Sequence, residues 1–313
     1  MINRILLRIK IIQILYAFYK GEGKTALMVE KELFHSVEKT YDLYYHLLNL
    51  IILITDYAAS RIESKKNKFR PSPEDINPNT RFIDNAFVDQ LRKNKQFAAY
   101  LSERKLSWVN HPEIIKELYE EIISCDFYQE YMELESVDYH ADKDIWRKIF
   151  KRIMLQNESL DNSIEDQSIF WTDDVEIVIS FIIKTIKRFD KESGADQELL
   201  PMFKDEEDAE FARKLLHGVL KNGKSYRSII DEHTQNWELD RIAFMDILIM
   251  EVALSELMDF PTIPVNVTLN EYIEIAKNYS TDKSGTFING VLDNVVGQLK
   301  KENKLIKVVM FTK

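Results

Sequence analysis

Residues 268–277, Thr-Leu-Asn-Glu-Tyr-Ile-Glu-Ile-Ala-Lys, read as the opening of an amphipathic helix. Thr268 and Glu271, three apart, fit the reciprocal cap in which a hydroxyl and a carboxylate satisfy open N–H groups of a first turn. Behind them Leu269, Tyr272, Ile273 and Ala276 supply an apolar face at i, i+3, i+4 and i+7, so a helix is expected over 269–279. Upstream, Asp240 is placed to cap a helix at about 238–259 whose apolar face is Ile242, Met245, Ile249, Val252, Ala253 and Leu257; Pro261 and Pro264 lie beyond its end.

The same reading extends outward along the chain. Ile2 to Lys20 contains no Gly or Pro and stops at Gly21-Glu22-Gly23, which predicts one helix. A second stretch from Thr25 towards Asn67 ends before Pro71, Pro73 and Pro78; its Leu43, Leu47, Leu50 and Ile54 at helical spacing are read as core shared between both parts of the chain. Further helices are expected at about 81–105, 112–124, 141–156, 173–190, 208–221 and 282–300, with Asn157 to Asp166 a polar connection. Only 8 Gly and 7 Pro in 313 residues exclude a turn-rich sandwich or barrel and make the fold class all-α. With 45% apolar and 30% charged residues the chain can fill one large or two ordinary domains. The acidic run Asp196 to Glu210 marks a boundary. The apolar run Leu47 to Ile54 is far short of the roughly 20 residues a bilayer crossing needs, and no membrane association is expected.

The chemistry-bearing residues are sparse. Cys125 stands alone and cannot close an intrachain disulfide, which fits a reducing cytoplasm. The six histidines are scattered singly, and there is no phosphate loop, nucleophile elbow or His-Glu-x-x-His. The expectation is therefore no enzyme, no metal and no cofactor. A formal charge of -10 argues against general coating of nucleic acid, so any such site must be local. Both ends are nevertheless basic: Arg4, Arg8, Lys10 and Lys20 without a carboxylate in residues 1–20, and Lys300, Lys301, Lys304, Lys307 and Lys313 against Glu302 in the tail. Arg4 and Arg8, four apart, share a helix face able to follow one phosphate backbone, and Tyr16 and Tyr19 can offer stacking surfaces. The alternative, tyrosines in the core with an arginine rim, is equally open.

Four ordered blocks carry a resemblance: Phe211 to Asn222 (F-A-R-K-L-L-H-G-V-L-K-N), Asn236 to Arg241 (N-W-E-L-D-R), Pro264 to Lys277 with Asn270-Glu271 and Glu274 to Lys277, and Ser284 to Asp293 (S-G-T-F-I-N-G-V-L-D). The sequence resembles the NusB family of transcription antitermination factors, and Arg8 followed by Gln13-Ile14-Leu15-Tyr16 looks like that family's Arg-rich opening helix. The resemblance implies an all-α, NusB-like helical bundle of two small subdomains formed by 1–35 and 205–300, with a helical insertion of unknown role at 36–204 and a basic tail at 301–313. It implies binding of single-stranded, boxA-like RNA of ribosomal RNA transcripts together with ribosomal protein NusE in the transcription elongation complex. Carried onto matching positions, Arg4, Arg8 and Lys10 are expected to touch phosphate, with Gln13 and Tyr16 beside them. Phe287 is expected either to stack a base or to sit in the core. Asp246 and Lys283 are expected on the NusE-facing surface, Lys283 with its charge reversed relative to the family. Ile5, Leu6 and Leu7 stand where the family's opening helix holds a denser arginine cluster. The runner-up is a helical protein-interaction module that has lost RNA binding.

Overall fold

A computed structural model describes residues 1–234 and 243–308. Among them the chain is all-α, with one isolated bridge, Ile2 to Phe203, in place of any strand. The helices are α1 Arg4–Lys20, α2 Ala26–Lys66, α3 Pro73–Ile76, α4 Ala86–Lys93, α5 Lys95–Arg104, α6 Pro112–Ser124, α7 Asp126–Glu133, α8 Tyr139–Arg152, α9 Glu158–Gln167, α10 Val175–Arg188, α11 Glu206–His233, α12 Phe244–Asp259, α13 Val265–Tyr279 and α14 Ser284–Lys301. No helix among the described residues is long and apolar enough to cross a membrane.

The chain divides into two compact units, Met1 with Glu38–Met202, and Ile2–Val37 with Phe203–Lys313. In the second unit the rings of Phe34 and Phe203 lie 6.5 Å apart, and in the first the Tyr41 hydroxyl donates to the Leu200 carbonyl at 2.8 Å. Each unit thus holds the outgoing and returning strands of chain side by side, as the ends of an inserted body require.

In the first unit, α2 from Glu38 onward forms the spine. Leu43, Leu47, Leu50 and Ile54 fall within this unit and are completely buried. Two tryptophans pin the spine by donating to its carbonyls, Trp108 to His46 at 2.9 Å and Trp171 to Lys39 at 2.6 Å. The expected helix 81–105 is two helices, because the Asn94 side chain accepts from Phe97 N–H to start α5 while its Nδ2 donates to the Gln197 carbonyl. The polar stretch after Asn157 is helical, with the Asn157 side chain as its N-cap.

In the second unit α12 is the centre. Every side chain from Leu248 to Leu257 is buried, as expected for a helix wrapped on all sides, here by α1, α11, α13 and α14. Gly218 lets α11 approach it, since a Cβ there would collide with Ser255 Oγ and Asp259 Oδ2. The expected cap at Thr268 is corrected. α13 starts at Val265 behind Pro264, because the Thr268 hydroxyl donates to Glu256 at 2.9 Å and leaves the first turn to an earlier start. The expected Asp240 cap, Ile242, the block Asn236 to Arg241 and Lys313 lie outside the described residues.

Candidate nucleic-acid interface

α1 is begun by the Asn3 side chain, which accepts from Leu6 N–H at 2.9 Å. Leu6, Leu7, Ile11, Ile12, Ile14 and Leu15 then bury one broad side of the helix. At 100° per residue Ile5, Ile9, Gln13, Tyr16 and Lys20 fall within about 80° of one another, and they form the outward stripe; Ile5, Tyr16 and Lys20 are exposed, Ile9 and Gln13 half-buried.

Arg4 and Arg8 do share a face, but that face turns towards α11, α12 and α13. Arg8 grips Glu256 with two hydrogen bonds, Nε at 2.7 Å and Nη2 at 2.8 Å, and its side chain is 4% exposed. The same carboxylate accepts from Thr268 Oγ1 at 2.9 Å and Tyr272 OH at 3.0 Å, so four donors from α1 and α13 converge on one group of α12. Glu271 reaches Arg8 Nη1 at 3.5 Å. Burial works to lower the Arg8 pKa, but the Glu256 hydrogen bonds, with the charges around them, outweigh it and the pKa is raised. Burial and the Glu256 charge push the Tyr272 hydroxyl well above its ordinary value. The expected phosphate contact at Arg8 is therefore corrected: its guanidinium is spent inside the bundle. Lys10 is likewise buried, at 2% exposure, and does not present its ammonium to a ligand. Arg4 is more open: it lies 3.4 Å from Asp208, 3.9 Å from Glu207 and 5.0 Å above the Phe211 ring.

The far end of α1 has a different composition. Tyr16 and Tyr19 flank Phe244 at 5.6 and 6.1 Å between ring centres. Lys20 Nζ stands 4.6 Å over Phe244 and 5.9 Å from Tyr16, and the Arg227 guanidinium lies 5.6 Å from Tyr19 and 5.9 Å from Phe244. Arg227 is anchored by Glu251 at 2.6 Å, a carboxylate with no exposure whose pKa burial raises against the pull of Arg227. Gly223 leaves room for the Tyr19 hydroxyl, which a Cβ would meet at 2.8 Å; burial, then the Glu251 charge, pushes that hydroxyl up to about 12. The result is a cation-aromatic surface: an exposed ring at Tyr16, cations at Lys20 and Arg227, with Lys221 and Lys224 exposed on α11. Such a surface can stack an unpaired base and meet its phosphates. Among the described residues no cluster of metal-ligating side chains is present.

The remaining expected positions separate. Phe287 is half-buried on α14. Lys283 is exposed at the N-cap of that helix. Asp246 is corrected: it is 5% exposed and accepts from Ser280 Oγ at 2.5 Å and Ser284 Oγ at 2.9 Å, so it ties α12 to the turn between α13 and α14 and offers no charge at a surface. Phe244, Arg227 and Glu256 were not read from sequence. Glu251 and Glu256 did carry a signal, since a carboxylate inside a helix apolar on every side must have a partner.

These features define a class: a helical bundle, interrupted by a second helical body, with a small cation-aromatic surface. The NusB family model matches residues 175–297, a range that starts with α10 of the first unit and leaves out α1. The chain is 37% identical over 132 residues to the transcription antitermination protein NusB of Salinibacter ruber, spanning 40% of this chain and 82% of that one. It is also 37% identical over 120 residues to the transcription antitermination protein NusB of Bacillus subtilis, spanning 38% and 92% respectively. A solved NusB structure from T. maritima is 25% identical, covers 51% of this chain and 97% of its own, and superposes with a TM-score of 0.30. The chain belongs to the NusB family.

Proposed function

We propose that this chain is a transcription antitermination factor that acts without chemistry, as an adaptor in the cytoplasm. It binds single-stranded, boxA-like RNA, pairs with ribosomal protein NusE and joins the elongation complex. The observation that carries this reading is the outward stripe of α1, where Tyr16 and Lys20 meet Phe244 and the Arg227 guanidinium approaches the same ring, a combination suited to an unpaired base and its phosphates. The proposed contact set is Arg4, Gln13 and Tyr16, with Phe287 on α14, taken from the family resemblance, and Lys20 is added for its cation over Phe244; Lys283 is the proposed partner-facing position that remains at the surface. Arg8 and Lys10 are left out of the set, because both are buried in the bundle. The runner-up, a module that has lost RNA, calls for Arg4 and Arg8 both to be sealed by the insertion; the partners of Arg8 are Glu256 and Glu271 of its own unit, and Arg4 retains 38% exposure.

The test is fluorescence anisotropy with labelled boxA-like RNA, with and without NusE. Tyr16→Ala and Lys20→Glu are each expected to weaken binding roughly tenfold, the scale of one lost base stack or one phosphate contact in this setting, and NusE is expected to tighten it. Unchanged affinity in both variants rejects the site.

A further inference from the structure

The sequence from Arg61 to Arg70, Arg-Ile-Glu-Ser-Lys-Lys-Asn-Lys-Phe-Arg, gathers Arg61, Lys65, Lys66, Lys68 and Arg70 against Glu63 in a chain whose net charge is -10. It lies in the inserted unit, at the end of α2 and the start of the connection to α3, and all five cations are exposed. In its midst Phe69 is 96% exposed. Among the Phe, Tyr and Trp side chains of the described residues, Phe69 and Tyr16 are the two that are exposed, and both have cations over or beside the ring: Lys20 at Tyr16, and Arg70 at Phe69, 5.9 Å from the ring centre.

The exposure of Phe69 does not come from a loose loop. Before it, Asn67 N–H donates to the Glu63 carbonyl at 3.1 Å, and Lys68 N–H to that of Lys65 at 3.3 Å. After it, Ser72 and Asp75 form a reciprocal cap on α3 between Pro71 and Pro73. Lys68 Nζ closes the turn onto Asp75 at 3.0 Å. A ring held in water on an anchored turn forfeits the burial that would stabilise it, and Arg61 and Lys65, four apart on α2, repel. Cations at a helix C-terminus are favoured by its dipole, which accounts for Lys65 and Lys66. It does not account for Arg70 or for Phe69.

We propose that this tip is a second RNA contact, which stacks an unpaired base on Phe69 and holds the adjoining phosphates with Lys65, Lys66 and Arg70. The insertion then lengthens the RNA footprint beyond the boxA-like element. The choice of RNA over an anionic lipid surface rests on the RNA-binding reading above; the cation-ring geometry itself does not.

The experiment uses the full chain, and its probe is a labelled oligouridylate of about 30 nucleotides, long enough to reach beyond a single small site. Phe69→Ala is expected to weaken its binding roughly tenfold, one lost base stack. Replacing Lys65, Lys66 and Arg70 together by Ala is expected to flatten the salt dependence of log affinity by about 2, at about 0.7 for each phosphate contact on a single strand. Binding of a short boxA-like RNA, measured in parallel, should not change in these variants. Parent-like affinity and slope on oligouridylate would overturn the proposal. So would a loss confined to phosphatidylserine vesicles, which would assign the tip to a lipid. If the parent binds oligouridylate through Phe69 but shows no preference for boxA-like RNA, the earlier reading fails and this one stands.

Discussion

Replacing Arg8 by Met keeps most of the side-chain volume of a residue buried in α1 but withdraws two of the four donors on Glu256. The carboxylate has no exposure and retains only the Thr268 and Tyr272 hydroxyls. Removing one partner of a buried ion pair costs about 3–5 kcal/mol, because the remaining charge stays desolvated without compensation. A unit of this size loses roughly 2–4 °C in Tm per kcal/mol, so the variant should melt about 6–20 °C below the parent. The assay is calorimetry or thermal circular dichroism at neutral pH, followed by the cycle that adds Glu256→Leu. That second change removes the stranded charge and should restore part of the loss, since it also takes the acceptor from the Thr268 and Tyr272 hydroxyls. Below its melting range the Arg8→Met protein should bind boxA-like RNA like the parent. A variant that melts with the parent yet loses RNA affinity would refute the reasoning and return Arg8 to the surface.

Two further outcomes are expected. His46 is stacked on Trp108 at 4.2 Å and lies tilted against Trp171 at 5.2 Å between ring centres, and burial, against the pull of Gln167, lowers its pKa to about 4. The unfolded chain takes up that proton near pH 6.5, so stability of the inserted unit should fall as pH drops from 6.5 to 4, by about 3 kcal/mol in all; denaturant titrations of the parent and of His46→Phe across that range check it, and equal pH dependence in the two would exclude His46 as the source. Joining Val37 to Phe203 through a short Gly-Ser bridge removes Leu43, Leu47, Leu50 and Ile54 with the unit they fill. The remaining unit should be a soluble monomer with one cooperative melt; aggregation in size-exclusion chromatography would show that α2 holds a core common to both units.

The fold was legible where local chemistry decides it. The Gly and Pro punctuation around α1 and α2 marks helix ends that no tertiary contact needs to set. It failed where a distant partner decides. Asn94 splits one apolar pattern into α4 and α5 because its amide meets the carbonyl of Gln197. Thr268 looks like a cap until Glu256 claims its hydroxyl. The site shows the same limit: spacing puts Arg4 and Arg8 on one face, but which way that face points is set by a glutamate 248 residues away. Tyr16 was legible as an aromatic beside a cation, whereas Phe244 and Arg227 join it only through the packing of α1, α11 and α12.

The proposed RNA contact lies on the outward stripe of α1, with Arg8 and Lys10 turned into the bundle. Ultraviolet crosslinking of a boxA-like RNA to the full chain, with the joined peptide identified by mass spectrometry, tests that placement directly. The predicted crosslink falls on Tyr16 or Phe244 and disappears with Tyr16→Ala; crosslinks confined to other helices, unchanged in that variant, would contradict it.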